Sequence, residues 1–153
     1  QRGEAVETAF TCGMMHNIGE LLIQTGAPDL AAQLNRSGKT DAAQRVALET
    51  LQLGFGFPEV GAELARRWQL PKLILDAIAF QAKPTQAPDG ALLPLLIAQA
   101  VHIAETVRTY GGVTDEAKEA LNGPLFESIE RDKLFASLEE SLEADKAFAQ
   151  LLS

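Results

Sequence analysis

Reactive side chains are scarce in this chain of 153 residues, which has one cysteine, one tryptophan, one tyrosine and two histidines. A single cysteine excludes an internal disulfide and suits a reducing cytoplasm. Cys12 lies among small and apolar neighbours and reads as a packed thiol, not a nucleophile. Two histidines cannot build a Ser-His-Asp set with conviction, and neither Cys-x-x-Cys nor His-Glu-x-x-His occurs. Positive charge is also thin, with 13 basic residues against 21 acidic ones and a net charge of −8. That balance argues against a general nucleic-acid surface, which needs clustered Lys and Arg. The adjacent basic pair Arg66-Arg67, beside Trp68, reads as the solvated face of a helix. The longest apolar run, Ala91 to Val101, is interrupted by Pro94 and Gln99 and falls short of the ~20 residues of a membrane span. No signal peptide is visible, and the abrupt start at Gln1 suggests an excerpt of something longer.

What remains is ordinary globular composition, 46% hydrophobic and 22% charged, in a length that fits one domain with a real core. The spacing is helical almost throughout. Residues 4–25 carry apolar positions at three- and four-residue intervals and predict one helix ending near Gly26. Pro28 opens a short helix closed by Ser37-Gly38. Asp41 to Leu53 forms another, with Gly54 placed to cap it. A helix is expected from Pro58 through Gln69, broken at Leu70-Pro71, and a further one from Pro71 to about Ala82. Lys83 to Gly90 reads as a linker. A long helix follows from Ala91 to Tyr110, stopped by Gly111-Gly112, and Thr114 caps a short one to Asn122. The tail from Pro124 carries a Leu134, Phe135, Leu138, Leu142 stripe. No strand-like alternation or internal repeat is present. The expected class is all-α.

Two blocks carry the most information. Residues 12–23 read Cys-Gly-Met-Met-His-Asn-Ile-Gly-Glu-Leu-Leu-Ile. From residue 58 the chain reads Pro-Glu-Val-Gly-Ala-Glu-Leu-Ala-Arg-Arg-Trp-Gln-Leu-Pro, followed by an Ala-Ile helix. Their order and spacing resemble the HDOD family, output-domain relatives of the HD phosphohydrolases, over roughly residues 8–108. The resemblance implies a multi-helix HD-like domain over 1–153, without the family's N-terminal helices, and with 124–153 as a C-terminal helical extension. It also shows where a metal centre would be. The superfamily's His-Asp pair is His16-Asn17 here, and a neutral amide replaces a carboxylate able to bridge two hard cations. Where the family has histidine before the Glu-Val-Gly stretch, this chain has Phe57. Where a histidine pair follows the Ala-Ile helix, it has Gln81-Ala82. Glu105, in Val101-His102-Ile103-Ala104-Glu105, keeps a carboxylate.

These vestigial positions predict no catalytic residue, no metal and no cofactor. They predict a non-catalytic regulatory module of bacterial signal transduction, cytoplasmic, that binds protein partners or adjacent signalling domains. A homodimer is a further expectation, with the tail mediating self-association or docking onto the missing upstream region, while nucleic acid and membrane are not expected. One alternative is a residual metal-dependent phosphohydrolase using His16, Asn17 and Glu105 with Glu49 or Glu59. Another is a helix-turn-helix over Pro58 to Ala79, opposed by a second helix too apolar to read bases. Blander roles are set beside these. His16 is expected to be a hydrogen-bonded, half-buried histidine that can pair with Glu20, and His102 to be structural or on the surface. Glu49 is expected to cap a helix or be solvated. Trp68 is expected to wedge two helices apart, and Gly13 and Gly19 to admit close helix contact.

Overall fold

The structure is a computed structural model that describes residues 2–36, 41–88, 91–123, 126 and 129–151. These are helical with no strand among them. In chain order the helices are α1 (Arg2–Met15), α2 (Ile18–Gly26), α3 (Pro28–Arg36), α4 (Ala42–Leu53), α5 (Phe57–Arg67), α6 (Lys72–Phe80), α7 (Leu92–Tyr110), α8 (Asp115–Ala120) and α9 (Arg131–Leu151). A 3₁₀ turn, Pro84–Gln86, interrupts the expected linker between α6 and α7.

Local chemistry explains most boundaries. The Asp41 side chain accepts from Gln44 N at 2.8 Å at the start of α4, satisfying a donor the first turn leaves open. Gly54 ends the same helix in the left-handed region, φ 83°, where a Cβ would be strained. Thr114 caps α8 by accepting from Ala117 N, and α8 stops at Ala120, two residues before the expected Asn122. Gly111 and Gly112, with φ 74° and 155°, stop α7. Ser37-Gly38 and Pro124, read as helix punctuation, lie outside the described residues.

Three boundaries differ from the sequence expectation. The helix expected over 4–25 is two helices, separated at His16-Asn17. There the Asn17 backbone (φ −98°, ψ 8°) leaves the helical region, and its carbonyl opens α2 by accepting from Leu21 N at 3.1 Å. Helix α5 begins at Phe57, one residue before Pro58. It ends at Arg67, because Gln69 adopts φ 56° and its N–H turns back to Arg66 O. Helix α6 begins at Lys72, after Pro71, and closes at Phe80.

The chain divides into two compact units, residues 1–98 and 99–153, with the boundary inside α7. In the first unit α2 packs chiefly on α5, and α5 on α6. Its core includes Ile23, Leu30, Leu34 and Phe57, with Ile74, Ala77 and Ile78 of α6 also buried. The α2–α5 crossing brings backbones into contact at Gly19, where a Cβ would lie 1.9 Å from Phe57 O and 2.7 Å from Gly61 N. Gly13 shows no such need, since a Cβ there meets nothing within 4 Å. In the second unit Ile103, Val107, Leu121, Phe126 and Phe135 form the core, and Leu134, Leu138 and Leu142 pack against it. The stripe read in the tail is therefore the buried side of α9.

Trp68 is 55% exposed and does not wedge two helices. It follows the last residue of α5, on the outer side that also presents Arg66 and Arg67. Both arginines bond the Glu63 carboxylate, at 2.8 and 2.9 Å. Hydrogen bonds from Arg66 and then Arg67 hold that exposed carboxyl down at about 2, so the basic pair is engaged on its own helix. Ile74, Ala77 and Ile78 bury one side of α6, and its exposed positions are Lys72, paired with Asp76, and Leu73, not the projecting Arg, Asn or Gln that reading base edges needs. No helix among the described residues is long and apolar enough to cross a membrane.

Candidate functional site

The interruption between α1 and α2 frees the backbone of His16 and Asn17 from a continuous helical ladder, and α6 uses what is freed. Gln81, at the C-terminal end of α6, is buried. Its Nε2 donates to His16 O at 2.7 Å and to Ile78 O at 3.0 Å. One amide group thus ties the end of α6 to the α1–α2 turn. The His16 ring turns back on its own helix, with Nδ1–H donating to Gly13 O at 2.6 Å. Glu20 does not pair with it, because Glu20 Oε1 is bound by Arg45 Nη1 at 2.8 Å. Asn17 stands at the cap position of α2, and its side chain makes no capping bond. Ala82 lies half-buried in the turn after α6.

Phe57 contributes a ring to the core of the first unit and an N–H to an unexpected acceptor. Glu49 is fully buried, at 0% exposure. Its Oε2 accepts from Phe57 N at 2.7 Å, and its Oε1 accepts from Arg45 Nε at 2.9 Å. A carboxylate of α4 therefore caps α5 from outside that helix, where an anion is favoured by the exposed amides and the helix dipole. Arg45 joins Glu49 to Glu20, linking α4, α5 and α2. Glu49 is the capping group that the sequence allowed for; the solvated alternative is overturned by its burial. The role of Arg45 was missed. Its four-residue spacing from Glu49 was the available signal, but spacing does not say whether a pair faces core or water.

The remaining candidates fall elsewhere. Glu59, offered as a substitute ligand, accepts from Gly56 N at 2.9 Å at the start of its own helix. Glu105 is exposed on the part of α7 belonging to the second unit. In that unit His102 stacks on Phe126, centroids 5.6 Å apart and planes 18° from parallel. Among the described residues, no group of three or more His, Cys, Asp or Glu side chains is placed to hold a metal ion. Cys12 is buried, and burial pushes its thiol above the ordinary value, which disfavours the reactive thiolate.

Comparison with known proteins agrees with this architecture. The family model "HDOD domain" matches residues 1–84, a span containing His16, Asn17, Phe57, Gln81 and Ala82 but not Glu105. The crystal structure of a Shewanella amazonensis SB2B protein named "Putative phosphohydrolase" superposes with a TM-score of 0.62 at 33% identity. That match covers 75% of this chain and 42% of the Shewanella chain. A Treponema pallidum (strain Nichols) protein named "Uncharacterized protein" is 29% identical over 84 residues, 55% of this chain and 16% of that protein. Both relatives therefore extend well beyond the matched region. With the family model matching more than half of its length, the chain belongs to the HDOD family.

Proposed function

We propose that this chain is a non-catalytic regulatory module that acts by binding protein partners or neighbouring signalling domains, in a bacterial cytoplasm. The observation that carries this reading is the use to which the family's ligand positions are put. Phe57 offers no donor atom and fills the core. Gln81 spends its amide nitrogen on the carbonyls of His16 and Ile78. Asn17 offers at most a neutral oxygen. Both oxygens of Glu49 are engaged, by Arg45 and by Phe57 N. A pair of divalent cations needs several anionic or imidazole ligands arranged around it, and these residues do not fit that requirement. The same groups make a seam that holds α1, α2, α4, α5 and α6 together. A scaffold retained while its ligand positions become structural is what a module working through its surface would keep.

The name of the Shewanella protein supports hydrolysis in that protein; here it stands as the competing reading. Elemental analysis of purified protein, with hydrolysis of bis(p-nitrophenyl) phosphate in added Mn²⁺ or Mg²⁺, separates the two. We expect substoichiometric metal and hydrolysis at the level of buffer. Stoichiometric metal together with hydrolysis lost on His16→Ala would overturn the proposal.

A further inference from the structure

A cavity of about 530 Å³ opens between α8 and the first turns of α9, wholly within the second unit. Buried Phe135 lines it, and two cations share that ring. Lys118 Nζ and the Arg131 guanidinium each lie 5.7 Å from its centre. Both gain from the negative face of the ring, but they repel each other, and little around them offsets the repulsion. Lys118 has one anionic partner, Glu139, at 3.4 Å, and that carboxylate is exposed. Arg131 bonds no carboxylate among the described residues. Its Nη1 donates to Asn122 Oδ1 and its Nη2 to Lys118 O, both neutral acceptors. Its Nε is buried without an acceptor. Arg45, Arg66 and Arg67, by contrast, each bond a carboxylate.

We infer that this cavity binds a small organic phosphate ester, with its phosphate against Arg131 and Lys118 and its apolar part along Ile129 and Phe135. Charge and size select that ligand. A guanidinium carries five N–H donors in a planar fork that matches phosphate oxygens, and here the donors outnumber the acceptors. The neighbouring ammonium adds a second positive charge, which a phosphate dianion uses in full and a single carboxylate does not. The volume lies within the ~300–1,000 Å³ of small-molecule sites and far exceeds a bare oxyanion, while Ile129 and Phe135 supply apolar wall for the remainder. Glu119 and Asp132 line the cavity too. Each follows its cation by one position, and adjacent helical residues do not face each other. Both are exposed, where water and salt screen them.

The two screened carboxylates keep the expected affinity modest, with Kd about 0.1–1 mM. This inference goes beyond the reading of the chain as a regulatory module, and the two fail separately. The vestigial ligand positions, Glu105 excepted, lie in the first unit, and metal and hydrolysis assays decide that reading. Binding in the second unit decides this one.

Isothermal titration calorimetry of the 153-residue chain with phenyl phosphate, at constant ionic strength, is the test. Phenyl phosphate is expected to bind one to one with Kd about 1 mM or tighter. Inorganic phosphate is expected to bind about tenfold more weakly, because it leaves Ile129 and Phe135 uncovered. Lys118→Ala is expected to weaken phenyl phosphate about tenfold, and Lys118→Glu to abolish its binding; circular dichroism checks that both variants keep their helix. Lys133, outside the cavity with its side chain 82% exposed, is the control, and Lys133→Ala leaves the affinity unchanged. No saturation up to about 10 mM ligand overturns the inference, as does binding that survives Lys118→Glu or falls equally with Lys133→Ala. Inorganic phosphate binding as tightly as phenyl phosphate overturns the assignment to an organic ester.

Discussion

Gly13 and Gly19 look alike in sequence, both glycines in an apolar helical stretch, and the structure separates them completely. At Gly19 the α2 backbone touches α5, and an added Cβ would lie 1.9 Å from Phe57 O. Neither partner is the tip of a flexible side chain, so the helices must part. Gly19→Ala is expected to destabilise the protein by about 3 kcal/mol or more, through overpacking and loss of the α2–α5 contact. Gly13→Ala is expected to stabilise by about 0.5–1 kcal/mol, because alanine restricts the unfolded chain and meets nothing in the folded one. Urea denaturation of the two variants beside the wild type checks both signs. Cys12 carries a second prediction. Burial raises its thiol above the ordinary 9.0, so between the unfolded and folded values the native state holds a proton that the unfolded state has lost. The resulting stabilisation is complete below about pH 9 and disappears as pH rises through the folded value. The stability difference between wild type and Cys12→Ala should therefore be flat from pH 6 to 8 and shrink above 9, as denaturation at stepped pH would show; a constant difference to pH 11 would contradict it. Cys12 was legible as a packed thiol from its small, apolar sequence context alone, although Phe10 and Met14 beside it turn out exposed. Trp68 was not, since a bulky ring at a helix end can face either way and only the placement of α5 decides.

Helix ends divide in the same manner between what short-range chemistry settles and what tertiary contact settles. Asp41, Gly54, Thr114 and Gly111-Gly112 act on the turn they adjoin, and their caps and stops could be read directly. The break at His16-Asn17 could not. No glycine or proline marks it, the apolar spacing runs straight through, and the group that receives the freed His16 carbonyl is Gln81, which is 65 positions away. The candidate site was legible as a set of positions for the same reason that the caps were, because the motif blocks are local. The present work of those positions was not, because Gln81 and Glu49 act on residues of other helices. Glu49 offers the sharpest test at this scale. Removing its carboxylate leaves Phe57 N without an acceptor in a buried place and strips Arg45 of one of two anionic partners. Glu49→Ala is expected to cost about 2–4 kcal/mol in urea denaturation, with Arg45 retaining Glu20 and so keeping the loss below that of a wholly orphaned buried charge. Glu49→Gln keeps an oxygen for Phe57 N and should cost less than half as much. Equal losses would mean that the ion pair, not the cap on α5, carries the stabilisation.

Across the whole molecule, the resemblance in the motif blocks reached as far as the helical class and the family, and the two blocks that carried it lie in the first unit. In the second unit the stop at Gly111-Gly112 and the cap at Thr114 were legible, but the packing of the tail was not, because nothing in a stripe of leucines says what covers it. Each unit has its own core, around Phe57 in the first and around Phe135 in the second. The chain's single tryptophan, Trp68, lies in the first unit, so its emission reports that unit while far-ultraviolet circular dichroism reports both. Phe135 packs among Leu121, Phe126 and Ile103, with Lys118 and Arg131 each 5.7 Å from its ring centre. Phe135→Ala empties that place and should cost the second unit about 3–5 kcal/mol. Separate cores make separate transitions the expected outcome. In the variant, circular dichroism should show an early loss of helix from the second unit, while the midpoint followed by Trp68 emission stays at its wild-type value. If the Trp68 midpoint falls together with the dichroism, then α7, which contributes residues to both units, couples them into one cooperative transition.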